Sequence, residues 1–282
     1  MPAELGSPGD ARRCAVLGSP IKHSLSPALH RAAYAHLGLN WSYERVEIDE
    51  YRLASFVGGL DHTWRGLSLT MPLKVAVLGL GQVDELAKLA GAGNTLILDG
   101  AERRVYNTDV GGLIWAVSQV TEAPLPRVTI LGTGATARAA LLAVTQLGAQ
   151  SVTVMARTPA RAEALRALAE EFGVAVDVRP WSMQIPDSDL VVSSVVSGAT
   201  NGIARAVADS APIVVDIIYD PWPTTLAVAA RHAGCAVVNG LDLLVGQALL
   251  QIELMTGRSV ASEVLYTALE SERADRQHVE DC

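Results

Sequence analysis

Cysteine is scarce in this chain, and its few occurrences are far apart. Cys14, Cys235 and Cys282 are the three cysteines among 282 residues. Their odd number and wide spacing exclude a disulfide framework, and they do not have the spacing of a zinc site. We therefore expect no metal site and a protein that works in the reducing cytoplasm.

Long apolar runs and an excess of positive charge are also missing. No apolar run approaches the roughly 18 residues that a transmembrane helix needs, and the N-terminus lacks the basic-then-apolar pattern of a signal peptide. The Pro- and Gly-rich residues 1–11 are expected to lack fixed structure. The net charge of −8 disfavours a nucleic-acid surface. The expected partners are small molecules, with no nucleic acid and no membrane, and both a monomer and a homodimer remain open.

Hydrophobic residues and glycines are plentiful. Hydrophobic residues make up 50% of the chain, and the 24 glycines indicate many tight turns. Short apolar runs alternate with helical patterns in both halves, which is typical of α/β proteins. In the second half the runs are apolar on both faces, as in parallel strands that helices cover. The predicted fold class is α/β with two domains.

The segment VTILGTGATAR at 128–138 is the most informative motif. A strand pattern is followed by a tight turn with Gly132 and Gly134 and by a helix that begins near Ala135, in the G-x-G-x-x-A arrangement of dinucleotide-binding turns. Gly132 would permit the turn, Gly134 would let a pyrophosphate approach the backbone, and Ala137 would keep helix and strand close. The alternative is a tight strand-to-helix turn without a ligand.

The next strand pattern, at 151–155, is not followed by the Asp or Glu that holds the ribose 2′-hydroxyl of NAD. The chain has Ala156-Arg157-Thr158 there, and Arg161 follows at the start of a helix. Because a guanidinium matches a phosphate in bidentate geometry, Arg157, Thr158 and Arg161 predict binding of the 2′-phosphate of NADP. The alternative is a pair of solvated arginines.

The chain resembles the shikimate dehydrogenase family in eight separated motifs, which include the two above. The members of this family are NADP-dependent enzymes of aromatic amino-acid (chorismate) biosynthesis. The resemblance implies reversible, NADPH-dependent reduction of 3-dehydroshikimate to shikimate. It covers about residues 13–257 and rests on GSPIKHSLSPALH at 18–30, SLTMPLK at 68–74, GAGNTL at 91–96, NTDVGG at 107–112, GTGATA at 132–137, ART at 156–158, DIIYDPWPT at 216–224 and NGLDLLVGQ at 239–247.

The resemblance assigns residues of three early motifs to substrate binding. It implies that Ser24 and Ser26 bind the substrate carboxylate and that Thr70 and Asn94 contact ring hydroxyls. Two short hydroxyl donors at a helix start suit an anion. Ser26, which precedes Pro27, is also explained as an ordinary helix N-cap.

The resemblance makes Lys74 the catalytic lysine and Asp109 its partner and a contact to the ring. Pro72 predicts a helix that carries Lys74 in its first turn. For Asp109, which follows Asn107 and Thr108, a helix cap is the alternative role, and the two roles are compatible.

Further site residues are implied near the end of the chain. Gln247 matches a substrate-binding glutamine on a C-terminal helix, and Gln251 lies one turn further as another candidate. Tyr219 matches a tyrosine at a strand end in the substrate site. Ile217 and Gly240 match positions beside the nicotinamide, with core packing as the alternative for Ile217.

The implied architecture has three parts. Residues 1–108 form a substrate-binding catalytic domain, 109–240 a Rossmann-like NADP-binding domain, and 241–282 a C-terminal helical segment that packs back on the first domain. From residue 270 the chain is highly charged, which predicts a frayed tail.

Two other functions stay open. An NAD-preferring quinate/shikimate dehydrogenase would have an acidic residue near Arg157 and Thr in place of Ser26. A non-catalytic NADPH-binding regulatory relative would lack Lys74 or Asp109. The chain departs from the family at Ser68, where Asn is common, so one polar contact there is open.

Overall fold

The structure, a computed structural model, describes residues 11–280, with side chains up to Arg276. The expectation for residues 1–10 lies outside this range. The described residues form two compact units: unit 1 contains the chain up to Thr108 and from Val245 onward, and unit 2 contains Asp109–Leu244. The predicted α/β class with two domains is confirmed.

Unit 1 is built on a mixed six-stranded sheet. Its elements before Thr108 are, in chain order, β1 (Arg12–Gly18), α1 (Ser26–His36), β2 (Trp41–Glu47), α2 (Glu50–Gly58), β3 (Trp64–Leu69), β4 (Gln82–Val83), α3 (Glu85–Ala90), β5 (Thr95–Asp99) and β6 (Glu102–Tyr106). The strand order is β2-β1-β3-β5-β6-β4. Strand β1 is parallel to β2 and β3, whereas β5 is antiparallel to β3 and β6.

Apolar clusters cover both faces of this sheet. On β1, Leu17 belongs to the cluster that contains Leu53 of α2, whereas Val16 belongs to the cluster that contains Tyr34 of α1 and Met255. This division follows from the alternation of side chains along a strand. Each such burial contributes about 1.5–3 kcal/mol, so both faces stabilise the sheet.

The segment after β3 differs from the sequence prediction. Lys74 lies in a turn, and a 3₁₀ helix follows at Ala76–Leu80, so the helix predicted from Pro72 is wrong. The Lys74 carbonyl accepts a hydrogen bond from the Gly93 amide at 2.7 Å rather than from an amide one helical turn ahead. Leu73 is fully buried and anchors the turn in the core.

Unit 2 contains a parallel six-stranded sheet. The elements from Thr108 to Asn239 are, in chain order, α4 (Thr108–Ser118), β7 (Arg127–Leu131), α5 (Ala135–Gln146), β8 (Ser151–Ala156), α6 (Glu163–Glu171), β9 (Ala175–Pro180), β10 (Leu190–Ser193), α7 (Ala204–Ser210), β11 (Ile213–Asp216), α8 (Thr225–His232) and β12 (Ala236–Asn239). A 3₁₀ helix at Pro159–Ala162 precedes α6.

The strand order of unit 2 is that of a Rossmann fold. The order β9-β8-β7-β10-β11-β12 corresponds to 3-2-1-4-5-6, and all neighbours are parallel. Ligands bind such sheets at the carboxyl ends of the strands, where the order reverses. That point lies between β7 and β10. The predicted Rossmann-like fold is confirmed.

Two helices follow, α9 (Gly240–Thr256) and α10 (Ser262–Glu280). Helix α10 packs against α1, and its Leu265 and Leu269 are buried. The fraying predicted from position 270 is therefore wrong for the described residues, since α10 continues to Glu280; residues 281–282 lie outside them. None of the helices in the described part of the chain has both the length and the hydropathy that membrane crossing requires.

Candidate active site

The loop before α1 contains the two predicted serines. Leu25 occupies the N-cap position in a helical conformation, and Ser26 is the first helical residue. The Ser26 amide donates to the Ser24 Oγ at 3.3 Å. The alternative that Ser26 caps the helix is therefore wrong. Its side chain is mostly buried, and its hydroxyl forms no hydrogen bond with another described residue, which leaves it available at the positive end of the helix dipole.

Asn94 precedes β5 and is almost fully buried. Its Oδ1 accepts hydrogen bonds from the Thr108 amide at 2.8 Å and the Thr95 hydroxyl at 2.9 Å. Its Nδ2 donates to the Thr108 hydroxyl at 2.9 Å. These bonds fix the carboxamide orientation between the starts of β5 and α4.

Thr70, Lys74 and Asn94 are tied to one backbone framework. The Leu69 amide, next to Thr70, donates to the Asn94 carbonyl at 2.7 Å, and the Gly93 amide, next to Asn94, donates to the Lys74 carbonyl at 2.7 Å. A Cβ at Gly93 would overlap another side chain, so glycine is needed for this approach. The structure thus brings these three predicted residues together within unit 1.

Helix α9 carries both predicted glutamines. Gln251 is fully buried; its Nε2 donates to the Thr95 hydroxyl at 2.9 Å and the Asn94 carbonyl at 3.2 Å. Its Oε1 accepts from the Ser68 hydroxyl at 2.8 Å. Gln247 lies one turn earlier on the same helix face and is mostly buried.

Sequence patterns did not identify the polar core around Gln251. The Tyr43 hydroxyl donates to the Ser68 Oγ at 2.6 Å, and the His30 ring stacks on the Tyr43 ring at a centroid distance of 4.1 Å. Burial lowers the pKa of His30 to about 3, although its contact with Gln251 opposes this shift. The pKa of Tyr43 is raised, mainly by burial. Both shifts favour the neutral forms of the two side chains.

Asp109 is the second residue of α4 and is mostly buried. Because the helix begins at Thr108, Asp109 lies in the first helical turn and is not the capping residue, so that alternative is wrong. A carboxylate in the first turn is favoured by the helix dipole. Its role as the partner of Lys74 stays a prediction.

The glycine turn of unit 2 joins β7 to α5. Gly132 has φ of 113°, and its amide donates to the Met155 carbonyl at 3.0 Å. A Cβ there would lie 2.7 Å from the Ser194 Oγ, so both conformation and space require glycine. Ala137 is fully buried against the sheet.

Gly134 is the N-cap of α5 and supplies no side-chain cap to the amides that begin at Ala135. A Cβ at Gly134 would meet no described atom within 4 Å, so the space beside the helix start is open. An open space at uncapped helix amides fits a pyrophosphate. The turn is therefore suited to the predicted dinucleotide.

Arg157, Thr158 and Arg161 follow β8 and are exposed. The Arg161 amide donates to the Thr158 carbonyl at 3.0 Å, which closes a turn between the two arginines. Neither guanidinium forms an ion pair with a carboxylate within the described chain. Two guanidiniums without a protein counter-ion fit a phosphate.

The loop after β11 contains Ile217 and Tyr219, both partly exposed. Asp216 holds this loop, because its carboxylate accepts from the Thr224 hydroxyl at 2.6 Å and the Ile218 amide at 3.3 Å. Burial raises the pKa of Asp216. The residues of β11 before Ile217 are buried, whereas Ile217 is partly exposed and is not a core residue.

Gly240 lies directly against this loop. A Cβ at Gly240 would overlap the Ile217 carbonyl, and the Gly240 amide donates to the Ile218 carbonyl at 3.4 Å. The two residues predicted beside the nicotinamide are therefore neighbours within unit 2.

A Rossmann-ordered unit with a glycine turn and a second α/β unit with a buried polar site define a dinucleotide-dependent oxidoreductase of two α/β units. Family comparisons identify the particular group. The model for the shikimate dehydrogenase substrate binding domain matches residues 16–96, and that for shikimate/quinate 5-dehydrogenase matches residues 116–217.

Individual proteins agree with these matches. Shikimate dehydrogenase (NADP⁺) of Bacillus cereus is 31% identical over 86% of this chain and 92% of its own length. The crystal structure of Mycobacterium tuberculosis shikimate dehydrogenase is 37% identical over 92% of this chain and 99% of its own, with a TM-score of 0.87. The structure of Thermus thermophilus shikimate 5-dehydrogenase in complex with NADP(H) and shikimate is 32% identical. It matches over 92% of this chain and 99% of its own, with a TM-score of 0.79. The chain belongs to the shikimate dehydrogenase family, and the predicted resemblance is confirmed.

Proposed function

We propose that this chain is an NADP-dependent shikimate dehydrogenase, which reversibly reduces 3-dehydroshikimate to shikimate in aromatic amino-acid biosynthesis. The observation that carries the proposal is the framework of Thr70, Lys74 and Asn94. Two 2.7 Å backbone hydrogen bonds hold the loops of these three residues together, and each residue matches a family position for substrate or catalysis. A Thermus thermophilus relative is described with NADP(H) and shikimate bound.

The cofactor is proposed to lie on the glycine turn of unit 2. Its pyrophosphate binds the helix amides at Gly134 and Ala135, while Gly132 and Ala137 keep the turn tight. When bound, NADPH supplies a hydride to the substrate carbonyl carbon.

Selectivity for NADP over NAD is assigned to the exposed turn after β8. Arg157 and Arg161 bind the 2′-phosphate and Thr158 adds a hydroxyl. Ile217 and Gly240 are proposed to line the nicotinamide site, where a side chain at Gly240 would overlap the backbone.

The substrate carboxylate is proposed to bind at Ser24 and Ser26. The amide of Ser26 already bonds to the Ser24 Oγ, so the two hydroxyls are held near one another at a helix start. Both the hydroxyl groups and the helix dipole favour an anion there.

The reacting end of the ring is assigned to Lys74. Reduction places negative charge on the carbonyl oxygen, and the Lys74 ammonium stabilises that charge and donates a proton to the oxygen. In oxidation the neutral amine accepts the proton. Asp109 takes part as the partner of Lys74.

Four other side chains are proposed to orient the ring. Thr70, Asn94 and Gln247 supply hydroxyl and carboxamide groups to the ring hydroxyls, and Tyr219 completes the polar contacts. The fixed orientation of Asn94 limits which hydroxyl arrangement it can satisfy, and this favours one substrate over its isomers.

The roles of the parts follow. Residues 1–108 are proposed to form the substrate-binding catalytic domain, 109–240 the NADP-binding domain, and 241–282 the segment that completes the first. The compact units, divided after Thr108 and Leu244, support this assignment. A cytoplasmic location, and a monomer or homodimer, are proposed with it.

The direct test is steady-state oxidation by the purified full-length chain, followed by NADPH absorbance. We expect turnover of shikimate with NADP⁺ and a kcat/KM at least about tenfold lower with NAD⁺, since each bidentate phosphate contact contributes about 1.5–3 kcal/mol. Equal or better activity with NAD⁺ on quinate would favour the quinate/shikimate alternative. NADP⁺ binding without turnover would favour the regulatory alternative.

A further inference from the structure

Two arginines from distant parts of the chain hold the backbone of the serine loop. The Arg45 Nε, on β2, donates to the Ser24 carbonyl at 2.8 Å. Arg276, near the end of α10, donates to the same carbonyl at 3.4 Å and to the His23 carbonyl at 3.2 Å. Two consecutive carbonyls just before Ser26 are thus fixed by guanidinium groups.

A single carboxylate orders both guanidiniums. The Glu272 Oε1 accepts from Arg276 at 2.8 Å and from Arg45 at 3.3 Å. The three side chains are half-buried. Burial and the charge of Arg276 lower the pKa of Arg45, and Glu272 opposes that shift. Two positive charges share one negative charge, so an excess positive charge remains beside the loop.

The other hydrogen bonds of Ser24 and Ser26 are local. The Ser24 amide donates to the Ile21 carbonyl at 3.0 Å, and the Ser26 amide donates to the Ser24 Oγ. These bonds close turns within the loop. Farther from the serines, the Ser19 amide donates to the Met71 carbonyl at 3.1 Å, and Ile21 is buried in the core. At His23 and Ser24 the two arginines connect the loop to the rest of unit 1, one from the sheet and the other from the C-terminal helix.

We infer that Arg45, Glu272 and Arg276 form a positioning cluster, the arginine clamp, through which α10 holds Ser24 and Ser26 in the arrangement that binds the substrate carboxylate. This inference rests on the proposed function. The clamp touches backbone carbonyls and not the reacting atoms. Its loss therefore weakens substrate binding and leaves the chemical step and the cofactor site intact.

The test compares three variants of the full chain. Arg276→Gln removes the charge-assisted bonds to the loop, and Arg276→Lys keeps the charge but loses the fork that reaches two carbonyls. Arg273→Gln is the matched control, since Arg273 is exposed on the same helix and forms no hydrogen bond or ion pair with another described residue.

The kinetic readout is the KM for shikimate and for NADP⁺, with kcat. We expect Arg276→Gln to raise the KM for shikimate by about 5- to 20-fold, with kcat within about twofold and the KM for NADP⁺ unchanged. The KM of Arg276→Lys for shikimate should lie between those of Arg276→Gln and the parent. The KM of the control variant Arg273→Gln should equal that of the parent.

Hydrogen exchange at the Ser24 and Ser26 amides gives a readout that needs no substrate. We expect faster exchange at these amides in Arg276→Gln than in Arg273→Gln. If the parent is active and both Arg276 variants keep its KM, the inference is wrong. If the parent does not oxidise shikimate, the proposed function is refuted, and equal exchange at both amides would then refute the clamp independently.

Discussion

Replacing Gln251 by leucine removes the side chain that links α9 to the start of β5. The variant loses the bonds to Ser68 at 2.8 Å, to the Thr95 hydroxyl at 2.9 Å, to the Asn94 carbonyl at 3.2 Å and to the His30 Nε2 at 3.3 Å. Leucine is similar in volume, so the main change is in polar contacts. The packing of the helix is otherwise kept.

The cost follows from what each partner retains. The Ser68 Oγ still accepts from Tyr43 at 2.6 Å, the Thr95 hydroxyl still donates to Asn94 at 2.9 Å, and the Asn94 carbonyl still accepts from the Leu69 amide at 2.7 Å. The exception is the Nε2 of the fully buried His30, whose contact is the lost Gln251 Oε1 at 3.3 Å, so one desolvation penalty of about 1–3 kcal/mol applies. With the other three lost bonds at about 0.5–1.5 kcal/mol each, the free energy of unfolding of unit 1 falls by about 3–7 kcal/mol.

Urea unfolding of parent and variant measures this loss, and kcat/KM for shikimate measures the effect on Asn94. Gln251→Leu should lower the free energy of unfolding, because the bonds of Gln251 are lost. It should also lower kcat/KM for shikimate, because Asn94 is no longer held from α9. The control is Glu253→Gln, an exposed position on the same helix. If Gln251→Leu were as stable as this control, the reasoning that these bonds stabilise unit 1 would be refuted.

Three further outcomes are expected. Arg157→Ala should weaken NADP⁺ binding by roughly ten- to a hundredfold and leave NAD⁺ binding nearly unchanged, measured by titration; equal weakening of both would show that Arg157 does not contact the 2′-phosphate. Ser24→Ala and Ser26→Ala should mainly raise the KM for shikimate, because the carboxylate is remote from the reacting carbon; an unchanged KM in both would place the carboxylate elsewhere. The lowered pKa of His30, about 3 in the folded chain and 6.5 as its usual value, means that only the unfolded state gains its proton between these values. The contribution of the neutral His30 to the free energy of unfolding is therefore complete above about pH 6.5. It falls by up to about 1.4 kcal/mol per pH unit below that value. The difference in stability between the parent and His30→Gln should shrink from about pH 7 to pH 5 in urea unfolding, and a constant difference would contradict the neutral His30.

Local sequence patterns are sufficient for the fold class of unit 2, whereas the roles of the site residues stay predictions. The four inner strands of its sheet, β7, β8, β10 and β11, are buried along most of their length. Gly132 has the positive φ that the motif requires. Such features depend on near neighbours in the chain. For this reason the sequence predicts the Rossmann-like fold and the glycine turn, and the strand order comes from the structure.

The errors arose where distant contacts override a local pattern. Pro72 favours a helix, but the Lys74 carbonyl is bonded to the Gly93 amide, which no pattern near Lys74 indicates. Ser26 before a proline is typical of an N-cap, but the helix begins at Ser26 itself.

The C-terminal contacts were beyond sequence reasoning for the same reason. Gln251 and Asn94 are 157 positions apart, and Arg276 and Ser24 are 252 positions apart. The charged sequence predicts a frayed tail because neighbouring residues do not reveal the partners of Glu272 and Arg276. In the structure, Arg45 and the loop carbonyls satisfy them.

The most direct test of the account is the turnover of Lys74→Met, with Lys88→Met, at an exposed position of α3, as the control. The variant must be folded and must bind NADPH as the parent does. We expect kcat for shikimate oxidation to fall by about 10²- to 10⁴-fold with little change in KM, because Lys74 acts mainly in the transition state. Turnover within about threefold of the parent would contradict the assignment of Lys74 as the catalytic residue.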